Sequence, residues 1–80
     1  DFSVYPNPNN GVFTVEAKSE SFKNIELTVY SLIGNKVLSI KENGDLNWKK
    51  VIDLRQFDKG VYFIQVKTHN SYYTTRVVVQ

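Results

Sequence analysis

The sequence predicts an all-β fold, an antiparallel sandwich of about seven short strands. Three observations predict it. Apolar and polar residues alternate with period two in segment after segment, the mark of half-buried strands. Turn-forming residues interrupt those segments at short intervals, as they do in sandwiches and barrels. The chain is also rich in rings, with five Tyr, five Phe and one Trp in 80 residues, and rings suit a pleated, half-buried surface. At that length the chain suits one domain, residues 1–80, and is too short for two. With 41% hydrophobic and 22% charged residues its composition is that of an ordinary globular domain.

The first segment, Phe2-Ser3-Val4-Tyr5, reads as extended. It is stopped by Pro6-Asn7-Pro8-Asn9-Asn10-Gly11, dense turn chemistry. Each proline fixes its own φ and biases the residue before it, so the loop is stiff. In residues 12–18, Phe13, Val15 and Ala17 alternate with Thr14, Glu16 and Lys18. Residues 19–24 are polar and turn-like. Residues 25–30 alternate again, with Ile25, Leu27 and Val29 facing inward. Leu32-Ile33-Gly34-Asn35 closes that strand, and residues 36–41 run back with an imperfect pattern (Val37, Leu38, Ile40) that suggests a bulge.

Asn43-Gly44 suits a tight hairpin turn, because both residues tolerate positive φ. Residues 48–53 form the next strand. Leu54 and Phe57, three apart, suggest a single helical turn folded over the core. In residues 61–68, Tyr62, Ile64 and Val66 share one face. His69-Asn70-Ser71 makes a hairpin turn, and residues 72–79 form the last strand. The expected core is Phe13, Val15, Leu27, Val29, Ile52, Tyr62, Ile64, Val66 and Val77.

Ten basic and eight acidic residues leave a formal charge of +2. The cations are scattered, and only Lys49 and Lys50 adjoin. Nucleic-acid binding is not expected, because phosphate contacts call for clustered cations. The absence of Cys removes disulfides, thiol chemistry and Cys-based zinc sites. No apolar run approaches the roughly 20 residues of a membrane span. The chain opens on Asp-Phe-Ser rather than Met, with no signal peptide, as a piece of a longer protein would.

No catalytic or metal residue is expected, and no cofactor. The single His, His69, falls in a turn with no nucleophile-elbow motif near it. Asp53 and Asp58 flank the 54–57 turn without calcium-loop spacing, so both read as turn residues. Trp48 with Tyr30, Tyr62, Tyr72 and Tyr73 raises a second reading, a carbohydrate-binding or adhesive accessory module of an extracellular enzyme. The competing reading, that Trp48 and Tyr62 fill the core, is favoured in so small a sandwich. Leu54-x-x-Phe57-x-x-Gly60-x-Tyr62 also resembles a tyrosine corner, in which the ring packs inside and the hydroxyl bonds to backbone upstream.

Four blocks together resemble a known family. Tyr5-Pro6-Asn7-Pro8 followed by Gly11, then Val29-Tyr30-Ser31-Leu32-Ile33-Gly34-Asn35-Lys36-Val37, then Asp53-Leu54, Phe57 and Gly60-Val61-Tyr62-Phe63-Ile64, then Thr74-Thr75-Arg76-Val77-Val78-Val79 stand in order along the chain. The series is similar to the type A C-terminal sorting domains of the type IX (Por) secretion system. The motif positions are Pro6, Asn7, Pro8, Gly11, Gly34, Gly60 and Tyr62. Arg76 stands where the family often has Lys, which keeps the charge but changes donor geometry. Gln80 stands where many members carry a basic residue.

The resemblance implies a seven-stranded Ig-like sandwich at the C-terminal end of a larger cargo protein, acting as a secretion signal and not as an enzyme. It implies transit through the periplasm and passage through an outer-membrane translocon. It further implies removal by a cell-surface cysteine-peptidase sortase, with the cargo secreted or held at the surface. Recognition is expected at Arg76, Val77, Val78, Val79 and Gln80. The last strand, Tyr72 to Val79, would offer the unpaired groups of its edge for strand addition, and Arg76 a charge-assisted contact.

Overall fold

The computed structural model describes residues 2–18, 22–44 and 47–80. Seven strands follow one another: β1 (Phe2–Tyr5), β2 (Val12–Ala17), β3 (Phe22–Ser31), β4 (Lys36–Gly44), β5 (Trp48–Asp53), β6 (Gly60–Lys67) and β7 (Tyr72–Val79). They form two antiparallel sheets, one ordered β1-β2-β5 and the other β4-β3-β6-β7. The expected all-β sandwich is therefore the observed architecture.

The alternating residues place the core between the sheets. Phe13, Val15 and Ala17 of β2 face Ile25, Leu27 and Val29 of β3, with Ile52, Ile64, Val66, Val77 and Val79 completing the layer. Every expected core residue is buried, and Trp48 and Leu54 join them. Burying a side chain of this size contributes about 1.5–3 kcal/mol, so the inner faces supply most of the favourable free energy. The β3–β4 register shifts between Val29 and Tyr30, placing a bulge in the irregular stretch.

Three local expectations are corrected. Asn43 and Gly44 are not a hairpin turn, because β4 runs through both and Gly44 pairs with Phe22. The chain then crosses to the other sheet. Gly44 suits a crowded position: a Cβ there would press on the end of the Ile25 side chain and come within 3.2 Å of Trp48 Cγ. The 54–57 segment is one hydrogen-bonded turn, Phe57 N donating to Leu54 O at 3.0 Å, and not a helix. Leu54 is fully buried there while Phe57 stays 39% exposed, so only the first apolar residue folds over the core. The expected polar turn over 19–24 is shorter than its composition suggested, since Phe22, Lys23 and Asn24 already belong to β3. Its positions 19–21 lie outside the described residues.

The registers bring distant segments to one end of the sandwich. Gly60 pairs with Val79, Ser31 with Tyr62, Tyr5 with Thr14, and Val12 with Asp53. The 6–11 loop, the 32–35 turn, the 54–59 segment and the last residues of β7 therefore share that end. The 68–71 hairpin, carrying the exposed His69, lies at the other, where His69 N donates to Lys23 O.

Candidate functional site

β7 is an edge strand, and its even-numbered residues point their backbone groups away from β6. From the Arg76 carbonyl to the Gln80 amide those groups are already occupied. The Asn7 carboxamide donates to Arg76 O at 2.8 Å and accepts from Val78 N at 3.0 Å. Asn9 N donates to Val78 O at 3.0 Å, and Gln80 N donates to Asn9 O at 2.8 Å. A side-chain amide and then a backbone peptide thus stand where a neighbouring strand would, and Asn9 forms a parallel bridge to Val79. The expectation of an unpaired edge along residues 72–79 is corrected for its last part, from the Arg76 carbonyl onward. A loop from the other end of the sequence covers it.

That loop is built to hold its place. Asn9 is 7% exposed, and its amide donates to Pro6 O at 2.9 Å while its oxygen accepts from Gly11 N at 2.8 Å. Both amide functions are satisfied inside the loop, an Asx turn in which Asn is favoured. Gly11 adopts φ +112°, a conformation L side chains rarely take, and a Cβ would meet Arg55 Cγ at 3.0 Å. Its carbonyl accepts from Leu54 N at 2.7 Å, fastening the loop to the 54–57 turn. At the loop's other end, the Tyr5 hydroxyl donates to Glu16 Oε1 at 2.8 Å. That bond to a carboxylate raises the Tyr5 pKa above its ordinary value.

The other motif residues lie at the same end in structural roles. Gly34, at φ +91°, closes the 32–35 turn and donates to Ser31 O at 2.9 Å. Gly60, at φ +146°, begins β6 opposite Val79. The Tyr62 ring is buried and its hydroxyl donates to Asp58 O, the tyrosine corner the sequence suggested. Asp53 closes its turn by accepting from Arg55 N at 3.0 Å. The Arg55 guanidinium lies 2.8 Å from its other oxygen and holds the Asp53 pKa at about 2.

Of the expected recognition residues, Val77 and Val79 face the core and Val78 is half-buried on the outer face. Arg76 and Gln80 are exposed. Arg76 sits across from Phe63, which sits across from Tyr30, so a row of two rings and a guanidinium crosses three strands. No side-chain partner engages that guanidinium among the described residues.

Trp48 belongs to the core. It is 6% exposed, and its indole N–H donates to Glu42 Oε1 at 2.8 Å. This bond, and then the Lys50 ammonium at 3.0 Å, lower the Glu42 pKa below the usual carboxylate range. Trp48 therefore presents no ring face to a sugar. The most exposed tyrosines, Tyr5 and Tyr72, lie on different sheets and do not form a shared platform. Among the described residues no cluster of His, Asp or Glu has the arrangement of a metal site, and no helix is long and apolar enough to cross a membrane.

No curated protein matches the chain. The family model of the secretion-system C-terminal sorting domain matches residues 3–80. That match runs through all four motif blocks, which the fold draws to one end of a two-sheet sandwich. It carries with it export through the type IX system, to the cell surface or beyond. The chain belongs to the C-terminal sorting domain family of type IX secretion.

Proposed function

We propose that residues 1–80 form the single sorting domain of a larger cargo protein, read as a folded surface and carrying out no chemistry of its own. The outer-membrane translocon engages the domain in the periplasm, and a surface cysteine-peptidase sortase afterwards removes it. The observation that supports this best is the bonding of the 6–11 loop to residues 76–80. It joins the first and last motif blocks into one surface.

Because the loop occupies the edge at 76–80, recognition there works through side chains and shape. Arg76, Val78 and Gln80 supply the outward side chains, with the exposed Arg76 guanidinium as the charged contact, while Val77 and Val79 pack in the core and hold the strand in shape. Pro6, Asn7, Pro8 and Gly11 hold that surface, while Gly34, Gly60 and Tyr62 keep the neighbouring turns in place.

A reporter carrying a signal peptide and this domain tests the reading in a bacterium that has the system. The fusion should reach the surface, and loss of residues 76–80 should leave it in the periplasm. Arg76→Ala separates recognition from folding, since an exposed substitution changes stability by no more than about 0.5 kcal/mol. Unimpaired export after the five-residue deletion would refute a signal in the last strand. Unimpaired export after Arg76→Ala alone would move recognition from the guanidinium to the rest of the surface.

A further inference from the structure

The 32–35 turn carries two adjacent apolar side chains that the fold does not use. Leu32 is 64% exposed and Ile33 83% exposed, and neither belongs to the core cluster. The turn is closed without them. Ser31 N donates to Asn35 O at 2.8 Å, Gly34 N donates to Ser31 O at 2.9 Å, and Asn35 N donates to Ser31 Oγ at 3.2 Å. Polar residues are the usual occupants of such positions. Two water-exposed apolar side chains at a turn apex therefore call for a reason outside the folded chain.

Their surroundings suggest one. Leu32 and Ile33 border a shallow recess of about 370 Å³, whose walls also include Ser31, Asn35, Asp58, Lys59 and Tyr62. Lys36 follows the turn directly and is exposed. Lys36 and Lys59 make no ion pair among the described residues, and against Asp58 they leave the rim positive. The surface thus combines an apolar knob, an adjoining hollow and a basic border. Interface anchors have this form, with an apolar centre in a polar rim.

We infer that Leu32 and Ile33 are an anchor that enters an apolar socket, edged by carboxylates, on a protein of the secretion apparatus. The inference rests on the export reading above and adds a second contact at the same end of the sandwich, apart from residues 76–80. A protein socket fits better than a lipid surface. Stable membrane attachment by charge takes a dense basic cluster, and this rim has two free lysines beside an aspartate. A hollow next to the knob also offers shape for a partner to fill, which a fluid bilayer cannot match.

The test uses the same reporter fusion with three variants. Leu32→Ser with Ile33→Ser removes the apolar knob, and Lys36→Glu with Lys59→Glu reverses the rim. A photo-crosslinking amino acid at position 33 is paired with one at position 51, where Val51 is also exposed but lies on the other sheet. Thermal melts of the isolated serine variant should match those of the parent, because neither side chain packs in the core. The serine pair should lower the surface-exposed fraction about tenfold or more, as loss of an interface hot spot does, and the rim reversal should lower it several-fold. Position 33 should yield one discrete protein adduct during export, and position 51 none.

A parent fusion that stays in the periplasm overturns the export reading, and this inference with it. A parent and a serine variant exported equally well overturn the inference alone. So does binding of the isolated domain to protein-free vesicles of anionic phospholipid that the serine pair abolishes, which would assign the knob to lipid. A concentration-dependent dimer dissolved by the same pair would assign it to a second copy of the chain.

Discussion

Replacing Asn7 with alanine opens the covered edge of β7 and leaves the core untouched. Two hydrogen bonds are lost, at 2.8 Å to Arg76 O and 3.0 Å from Val78 N. Both lie at the surface, where water replaces the missing partner, so the net loss falls near the low end of the usual range, about 1 kcal/mol in total. For a domain of this size that lowers the melting temperature by about 4–8 °C. Asn9→Ala makes the comparison. Asn9 is buried and holds the Gly11 N–H inside the loop, so its loss orphans a buried donor and costs about 2–3 kcal/mol. Urea unfolding measures both, and amide exchange distinguishes them. In Asn7→Ala the Val78 amide, whose acceptor was the Asn7 side chain, should exchange about tenfold faster under native conditions. The Gln80 amide, which donates to Asn9 O, should keep its protection. Unchanged exchange at Val78 would show that Asn7 does not hold the edge, and the account of a covered strand would fall.

Trp48→Ala should destabilise the domain by about 3–5 kcal/mol as a buried ring does, and calorimetric titration with polysaccharides should show no binding by the parent. The same substitution removes the indole donor to Glu42, so the Glu42 carboxyl should titrate at higher pH, as carboxyl NMR would record. Tyr62→Phe should cost about 0.5–1.5 kcal/mol in urea unfolding, because it deletes the bond to Asp58 O and keeps the packed ring. The Asp53 carboxyl should titrate at about 2. With its folded pKa below its unfolded one, its contribution is complete above the ordinary carboxylate value of about 3.9 and disappears as pH falls through about 2. Asp53→Asn should therefore flatten the acid limb of the stability profile, and an unaltered limb would contradict the Arg55 pairing.

The strands were legible because burial has a period. Phe13, Val15, Leu27, Val29, Ile64 and Val66 had to face one way, and a sheet on each side of a single core follows from that. Tyr62 was legible for a different reason, since its spacing from Leu54 and Gly60 matches a corner with a known bonding pattern. Gly44 was misread because local chemistry gives glycine two uses. Only the packing of Ile25 and Trp48 shows that close approach, and not positive φ, is the one needed here. Pairing between the 6–11 loop and the last strand was invisible in the sequence, because hydrogen bonds to backbone carry no pattern of side-chain types. Arg76 and Gln80 were named through the family resemblance, and their exposure is a finding of the structure, because the apolar run Val77-Val78-Val79 between them carries no alternation. Leu32 and Ile33 read as part of a turn, and only their exposure set against a turn that closes without them singled them out.

The bond between Asn7 and Val78 joins residues 71 positions apart. Closing a loop that includes nearly all of the chain has an entropic cost that grows with its length, though slowly, and contacts so distant in sequence depend on the elements between them being in place. The surface made of the 6–11 loop and residues 76–80 thus reports on every intervening strand. A chain with a misplaced β3 or an unpaired β6 would carry the same residues without presenting them together. A receptor that grips this end would therefore meet its target residues together only in a domain whose folding is complete.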